Sequence, residues 1–454
     1  MRDFTRGSVP TQILLFSVPM LIGNLFQQAY SMADAVVVGR FVSGDALAAV
    51  GVSMNLLQFL LSVLIGLTTG ASVVISQFYG AGQHQKVKQT VSTSIIFLSA
   101  FSLLIAVLGV FFSRTMLRLL GTAPEIMDDA AIYMQVLMAG MVFSTFFNMY
   151  TAYLRALGDS RGPLYILICC TLLNIGLDLL FIVSFKMGVM GAAVATIISQ
   201  ALSAVLCYIY ARKRAPLLNP DKLSFDRPLF AAILKYGTPA ALQLSLVSLA
   251  NLAITSLINS FGSSAMAGIT AASKIDQLAI MPVSNIAMAL STFVGQNMGA
   301  GQGKRAKNGL HWAMIFMLVL AVLMSGLLLA LGPRFISMFL NEGDVNSAEI
   351  VTLGLKYMNI MVVFYFLFAF LFAFNGFFRG AGDAMSAMAF PVISLALRTA
   401  SAYLLVNLAG MGPEALAWSI PIGWGLSSIA SFFYYKKGLW KGKLIVKEER
   451  AAES

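Results

Sequence analysis

Charge is scarce in this chain. Asp, Glu, Lys and Arg make up 11% of its 454 residues and hydrophobic residues 59%, whereas soluble globular domains carry about 25% charge. A water-soluble globule is therefore excluded. Histidine and cysteine are scarcer still, at two and three residues. His84 and His311 fall at span ends. Cys169, Cys170 and Cys207 lie in apolar runs without metal or redox spacing, as packing residues do. No nucleophile–base set or metal cluster lies within the apolar runs, so neither an enzyme nor a resident metal or cofactor is expected. The first apolar run is too long for a signal peptide and lacks a small-residue cleavage site, so no cleaved leader is expected.

What the chain has is long apolar runs, many of about 20 residues or more, enough to cross a bilayer as helix. They do not alternate as barrel strands would. An all-α polytopic membrane protein follows, with spans at 11–39, 45–79, 87–112, 128–154, 163–185, 188–211, 229–260, 264–298, 308–332, 347–378, 385–408 and 413–435. The net charge of +11 does not point to nucleic acid, because the basic residues sit in short loops. With the N-terminus inside, 22 Lys/Arg fall on the cytoplasmic side and 6 outside, Lys274 and Arg398 lying within spans. That imbalance places both termini in the cytoplasm. Glu125, Asp128, Asp129, Glu342 and Asp344 then fall outside.

The chain repeats itself. "SQFYGAGQHQKVKQ" (76–89) matches "GQNMGAGQGKRAKN" (295–308) at an offset of 219, "LRALGD" (154–159) matches "FRGAGD" (378–383) at 224, and "AVAT" (193–196) matches "ALAW" (415–418) at 222. Pro19 and Pro239 open corresponding spans. Matches in one order at nearly one offset indicate duplication. They predict 12 transmembrane helices in two pseudo-symmetric six-helix bundles: an N-lobe (1–211), a basic, proline-bearing linker (212–228), a C-lobe (229–435) and a cytoplasmic tail (436–454). Six spans per copy keep both copies in the same orientation, as in transporters that work by alternating access. No repeated filter motif supports a passive channel. The GAGQ loops lack the strand and the Lys-Ser/Thr of a nucleotide cradle.

Three acids fall within spans: Asp34, Asp178 and Asp276. A charge at mid-bilayer costs at least ~2.5–3.5 kcal/mol, and such residues are functional by default. In "QQAYSMADAVVVG" (27–39), Gln27, Tyr30 and Asp34 share one helical face, with Leu25, Met32 and Val36 opposite. In "NIGLD", Asn174 and Asp178 share another. Two carboxyls in one dry pocket cannot both ionise cheaply, so at least one is pushed toward its neutral form; deprotonated, the same oxygens suit Na⁺. A purely structural role for the acids is the alternative. Pro19 is a candidate hinge in span one, though a proline kink can be static. In the second lobe, positions 254 and 402, opposite Asp34 and Asp178, are Ile and Ala. Lys274, Asp276 and Arg398 appear there instead, either as an ion pair or in contact with substrate. Lys274 and Asp276 are two apart and do not share a face. Most of the 25 Met and 33 Phe serve packing and lipid contact; some line the cavity, where thioethers and rings suit flat cationic ligands. Arg155 and Asp159, with Arg379 and Asp383, mark equivalent span ends as a gate or clamp.

"QQAYSMADAVVVG", "SQFYGAGQ", "VGQNMGAGQ", "YLRALGD" and "NIGLDLLFI", in this order and spacing, resemble the multidrug and toxic compound extrusion (MATE) transporters, in particular the DNA-damage-inducible branch. The resemblance covers nearly the whole chain. It implies a V-shaped pair of bundles that exports small amphipathic, often cationic compounds by antiport with H⁺ or Na⁺. Carried over, the coupling site is Asp34, Asn174 and Asp178, with Tyr30, Tyr133 and Thr196 around it and possible Na⁺ binding at the first three. Other branches use acids in spans seven and ten; here span seven has Gln243 and span ten has no acid between Lys356 and Arg379, which favours an N-lobe site. Ser31 stands where the family often has Asn. A monomer in the bacterial plasma membrane is expected. The rivals are a lipid-linked precursor flippase, for which Lys274 and Arg398 would be the cationic contacts, and an exporter of a specific metabolite on the same architecture.

Overall fold

A computed structural model describes residues 2–338 and 347–445. Glu342, Asp344 and the end of the expected tail (446–454) lie outside the described residues. The chain forms α1 (Val9–Phe41), α2 (Gly44–Gly80), α3 (His84–Leu119), α4 (Met127–Ala139), α5 (Met141–Ala156), α6 (Arg161–Asp178), α7 (Gly188–Arg214), α8 (Arg227–Asn259), α9 (Ser263–Gly299), α10 (Gly303–Ser337), α11 (Ser347–Val363), α12 (Tyr365–Gly380), α13 (Ala384–Asn407) and α14 (Glu414–Lys437). Among the described residues there is no strand. Among the described residues ten helices are long and apolar enough to cross a membrane, or twelve spans when each of two bent pairs is taken as one.

Two spans expected as single helices are broken. Span four is α4 and α5, bent by 50°, and span ten is α11 and α12, bent by 52°. The first break falls at Gly140, where a Cβ would lie 2.5 Å from the Ile197 side chain. Hydrophobic periodicity continues through both breaks, so the sequence reads each as one helix. A third irregularity follows α6, where a single π turn, Leu179–Ser184, succeeds Asp178. Pro19, by contrast, lies inside a continuous α1.

The chain divides into two compact units. The first holds Met1–Asp3 and Val18–Ala241, the second Phe4–Ser17 and Leu242–Ser454. Helix α1 thus changes company just before Pro19, and α8 two residues after Pro239. In the first unit Val38, Leu57, Leu64, Leu117, Met134, Met138 and Ala192 form a buried core. Residues 224–226 dock on α3, with Ser224 N donating to Ser92 Oγ (2.6 Å) and Asp226 N to Thr93 Oγ1 (3.1 Å). In the second unit the chain ahead of α1 docks the same way. Phe4 N donates to Gln296 Oε1 (3.1 Å), Asn297 Nδ2 to Phe4 O (3.1 Å), and the Phe4 ring packs on Phe16 and Phe293. Phe4 and Phe225 are 221 residues apart, the spacing of the sequence repeat.

A second duplicated device closes the helix ends. Tyr210 OH donates to Asp159 Oδ2 (2.8 Å) and Tyr434 OH to Asp383 Oδ2 (2.7 Å), each pair 51 residues apart and the two pairs related by 224. Asp159 also accepts from Arg161 N and Gly162 N. Asp383 accepts from Ser386 N and from Lys443 Nζ at 2.9 Å. Burial acts against the Lys443 ammonium, but Tyr434 and Asp383 outweigh it and hold its pKa above the ordinary lysine value. At both of the span ends marked by Asp159 and Asp383 the aspartate is held by this tyrosine clasp, while Arg379 donates to Gln243 and Asn375. Because Asp383 is buried and multiply bonded, Asp383→Ala is expected to cost about 2–3 kcal/mol. The check is the thermal unfolding midpoint of detergent-solubilised protein; an unchanged midpoint would show that the clasp contributes nothing.

Candidate cation-coupling site

Four helices of the first unit converge on one polar patch. Helix α1 supplies Gln27, Tyr30 and Asp34, α4 supplies Tyr133, α6 supplies Asn174 and Asp178, and α7 supplies Thr196, all within Val18–Ala241. The spacing of four between Tyr30 and Asp34, and between Asn174 and Asp178, puts each pair on one helical face. The π turn after Asp178 shifts the helical register directly below the carboxylate, a distortion frequent at functional sites. Gly191 allows the close approach there, since a Cβ would lie 3.2 Å from Phe181 Cβ.

The patch is dry and under-satisfied. Asp34 is 2% exposed, and Asn174, Asp178 and Tyr133 are fully buried. Tyr30 OH and Thr196 Oγ1 are 3.1 Å apart, and Thr196 also donates to Ala192 O (3.0 Å). Asp34, Asp178, Tyr30 and Tyr133 lie within electrostatic reach of one another. Yet Asp34 Oδ1, both Asp178 carboxylate oxygens, Asn174 Oδ1 and Nδ2 and Tyr133 OH have no protein partner. Burying such atoms unpaired costs about 1–3 kcal/mol each, so the patch has the chemistry of a receiving site. Its donors are oxygens, which fit a proton or a hard cation. Among the described residues no group of three or more His, Cys, Asp or Glu is placed to hold a metal ion.

Beside the patch lies a small cavity of about 40 Å³, lined by Gln27, Tyr30, Asn174, Ser199, Gln200 and Ser203 among others. A water needs roughly 10–15 Å³ of such space, so the cavity has room for a few waters or a partly hydrated cation. Ser199 Oγ and Gln200 Oε1 are also unpartnered. Sequence reasoning missed these two, although Thr196, Ser199, Gln200 and Ser203 recur at helical spacing and so carried the signal.

In the second unit, the structure brings together two of the three charged candidates. Asp276 faces Arg398 and Tyr365, and Tyr357 faces Arg398 and Ser273. Lys274 points elsewhere and is exposed, as a spacing of two requires.

A model of the MatE family matches residues 19–180 and 239–404, the bulk of both repeats. The chain belongs to the MATE family. Its relatives include the probable multidrug resistance protein YpnP of Bacillus subtilis (strain 168), 31% identical over 98% of this chain and 99% of that one. Another is the probable multidrug resistance protein NorM of Thermotoga maritima, 27% identical over 97% and 95%. A crystal structure of MATE in complex with MaL6 matches with a TM-score of 0.89 at 24% identity, covering 96% of this chain and 97% of that one. The MATE fold, an all-α architecture of two six-helix bundles, is therefore the fold of this protein, and MATE proteins are transporters rather than enzymes. The two matched segments start at Pro19 and Pro239, so the family assignment and the internal repeat divide the chain alike.

Proposed function

We propose that the protein is a secondary active efflux antiporter of the plasma membrane, with both termini cytoplasmic, that works as a monomer. It exports small amphipathic organic compounds in exchange for H⁺ or Na⁺ by alternating access between an N-lobe (1–211) and a C-lobe (229–435). Relatives named for multidrug resistance support the export of such compounds.

One observation carries the coupling assignment: the unpartnered oxygens of Asp34, Asp178 and Asn174 in a closed patch of the first unit. A cation arriving there satisfies them; its departure leaves them bare. Coupling then requires only that the loaded and empty states differ in substrate affinity. Loading alters the packing of α1 around Asp34, with Pro19 as the hinge, and weakens substrate binding. Gln27, Tyr30, Tyr133 and Thr196 orient the site and complete its polar wall.

The test is dye export from proteoliposomes under an imposed pH gradient or an imposed Na⁺ gradient, each alone. Rhodamine 110 and its methyl ester rhodamine 123 serve as amphipathic probes. Export of at least one dye, driven by one of the gradients, is the expected result and names the coupling ion. Folded protein that exports neither dye under either gradient would overturn the reading.

A further inference from the structure

The exposed face of α9 is unlike a lipid-facing surface. Met266, Thr270, Lys274, Gln277, Leu278 and Met288 are exposed on it, with Met281 and Ser284 half-buried between them. These positions recur at spacings of three or four and form one stripe along the helix. Lipid-exposed helices carry branched aliphatic residues, as the exposed face of α10 does with Val319, Val322, Leu323 and Leu327. Apart from Leu278, the α9 stripe carries thioethers and polar groups with a lysine at its centre, a composition that suits a water-lined cavity better than acyl chains. The repeat agrees: Asn55 and Gln58 on α2, which correspond to Lys274 and Gln277 at the offset of 219, are also exposed and polar.

Lys274 is also uncompensated. No hydrogen bond or ion pair engages it among the described residues. The nearest acid in sequence, Asp276, is turned toward Arg398 and Tyr365. A single ammonium flanked by amide, hydroxyl and thioether groups attracts an anion on an otherwise apolar molecule. We infer that Lys274, with Gln277 and Thr270 beside it, is a subsite for the anionic group (carboxylate, phosphate or sulfonate) of an amphipathic ligand, whose apolar body rests on the methionines. This narrows the substrate class of the proposed export function, and rests on that reading for the consequence but not for the binding.

The test is equilibrium binding, by fluorescence anisotropy, of rhodamine 110 and rhodamine 123 to purified full-length protein in phosphatidylcholine nanodiscs. The dyes differ in one feature, a free carboxylate against its methyl ester. Wild type is expected to favour the carboxylate dye by about tenfold, the factor one charge-assisted hydrogen bond supplies. Lys274→Gln should erase the preference, Lys274→Glu should invert it and Lys274→Arg should keep it. A lipid headgroup is the other source of such an anion. If phosphatidylglycerol in the nanodisc displaces the carboxylate dye from wild type only, the subsite takes lipid phosphate. Equal affinity for the two dyes in wild type, a preference that survives Lys274→Gln, or no binding of either dye would overturn the inference. Gradient-driven export of both dyes at equal affinity would overturn it while leaving the antiport reading intact.

Discussion

Asp34→Asn is expected to reduce gradient-driven export at least about a hundredfold, equivalent to about 2.7 kcal/mol, while the protein still inserts and folds. Asparagine has the volume of aspartate and hydrogen-bonds as a protonated carboxyl does. It therefore satisfies the patch permanently and removes the difference between loaded and empty states. Asp178→Asn should act alike, because Asp178 has both oxygens unpartnered and faces Asp34 across the same site. The double variant should be little worse than either single one, since residues acting as a unit are not additive. The structural alternative predicts otherwise: if the acids only held helices together, each substitution would lower the unfolding midpoint and leave export per folded molecule unchanged. Export and midpoint measured on the same preparations separate the two.

The second large effect lies in packing. Gly376 and Gly380 form a small-xxx-small stripe on α12, of the kind that lets membrane helices approach closely. A Cβ at Gly376 would lie 2.4 Å from Ala287 O, and one at Gly380 2.3 Å from Ser291 O, both on the α9 backbone. Backbone cannot swing aside, so α12 and α9 would have to separate along their contact. Gly376→Leu and Gly380→Leu are each expected to cost about 3 kcal/mol or more, with most of the protein lost to aggregates in size-exclusion chromatography. Gly326→Leu on α10, where nothing lies within 4 Å, is the control and should be silent. A normal monodisperse peak for Gly376→Leu would show that the helices are not tightly apposed there.

The helical architecture was legible because its signals are long and redundant. Runs of 20 apolar residues leave no soluble alternative, and three motif pairs at nearly one offset expose the duplication. The breaks at Gly140 and Phe364 were not legible, because periodicity alone does not distinguish a bent pair of helices from one span. The Asp159–Tyr210 and Asp383–Tyr434 clasps were half legible: the aspartates stood out as repeated motif ends. Their partners are tyrosines 51 residues away, however, and only tertiary packing brings them near.

Within the candidate site, Gln27, Tyr30, Asp34, Asn174 and Asp178 could be placed by helical spacing, since a carboxylate in an apolar run is conspicuous. Tyr133 and Thr196 came only from the family resemblance; a lone tyrosine on α4 carries no local signal. Ser199 and Gln200 could have been found by extending the α7 polar face one turn. The Asp276–Arg398 juxtaposition spans 122 positions of sequence, and charge type alone could suggest it but not choose between a pair and a substrate contact. In the structure Asp276 is turned toward Arg398, and Lys274 is exposed on α9.

In this mechanism the patch around Asp34 and Asp178 trades a cation for substrate. The most direct measurement is the affinity of wild type and Asp34→Asn for rhodamine 110 across pH 6 to 8.5 and across Na⁺ concentration, with choline holding ionic strength constant. Linkage makes coupling reciprocal: if the cation weakens substrate binding, the dye affinity must fall as the site loads, typically about 5- to 150-fold. Such a fall is expected in wild type, with either protons or Na⁺, and a flat response in Asp34→Asn. Wild-type affinity that ignores both ions, or a response that persists in Asp34→Asn, would contradict it.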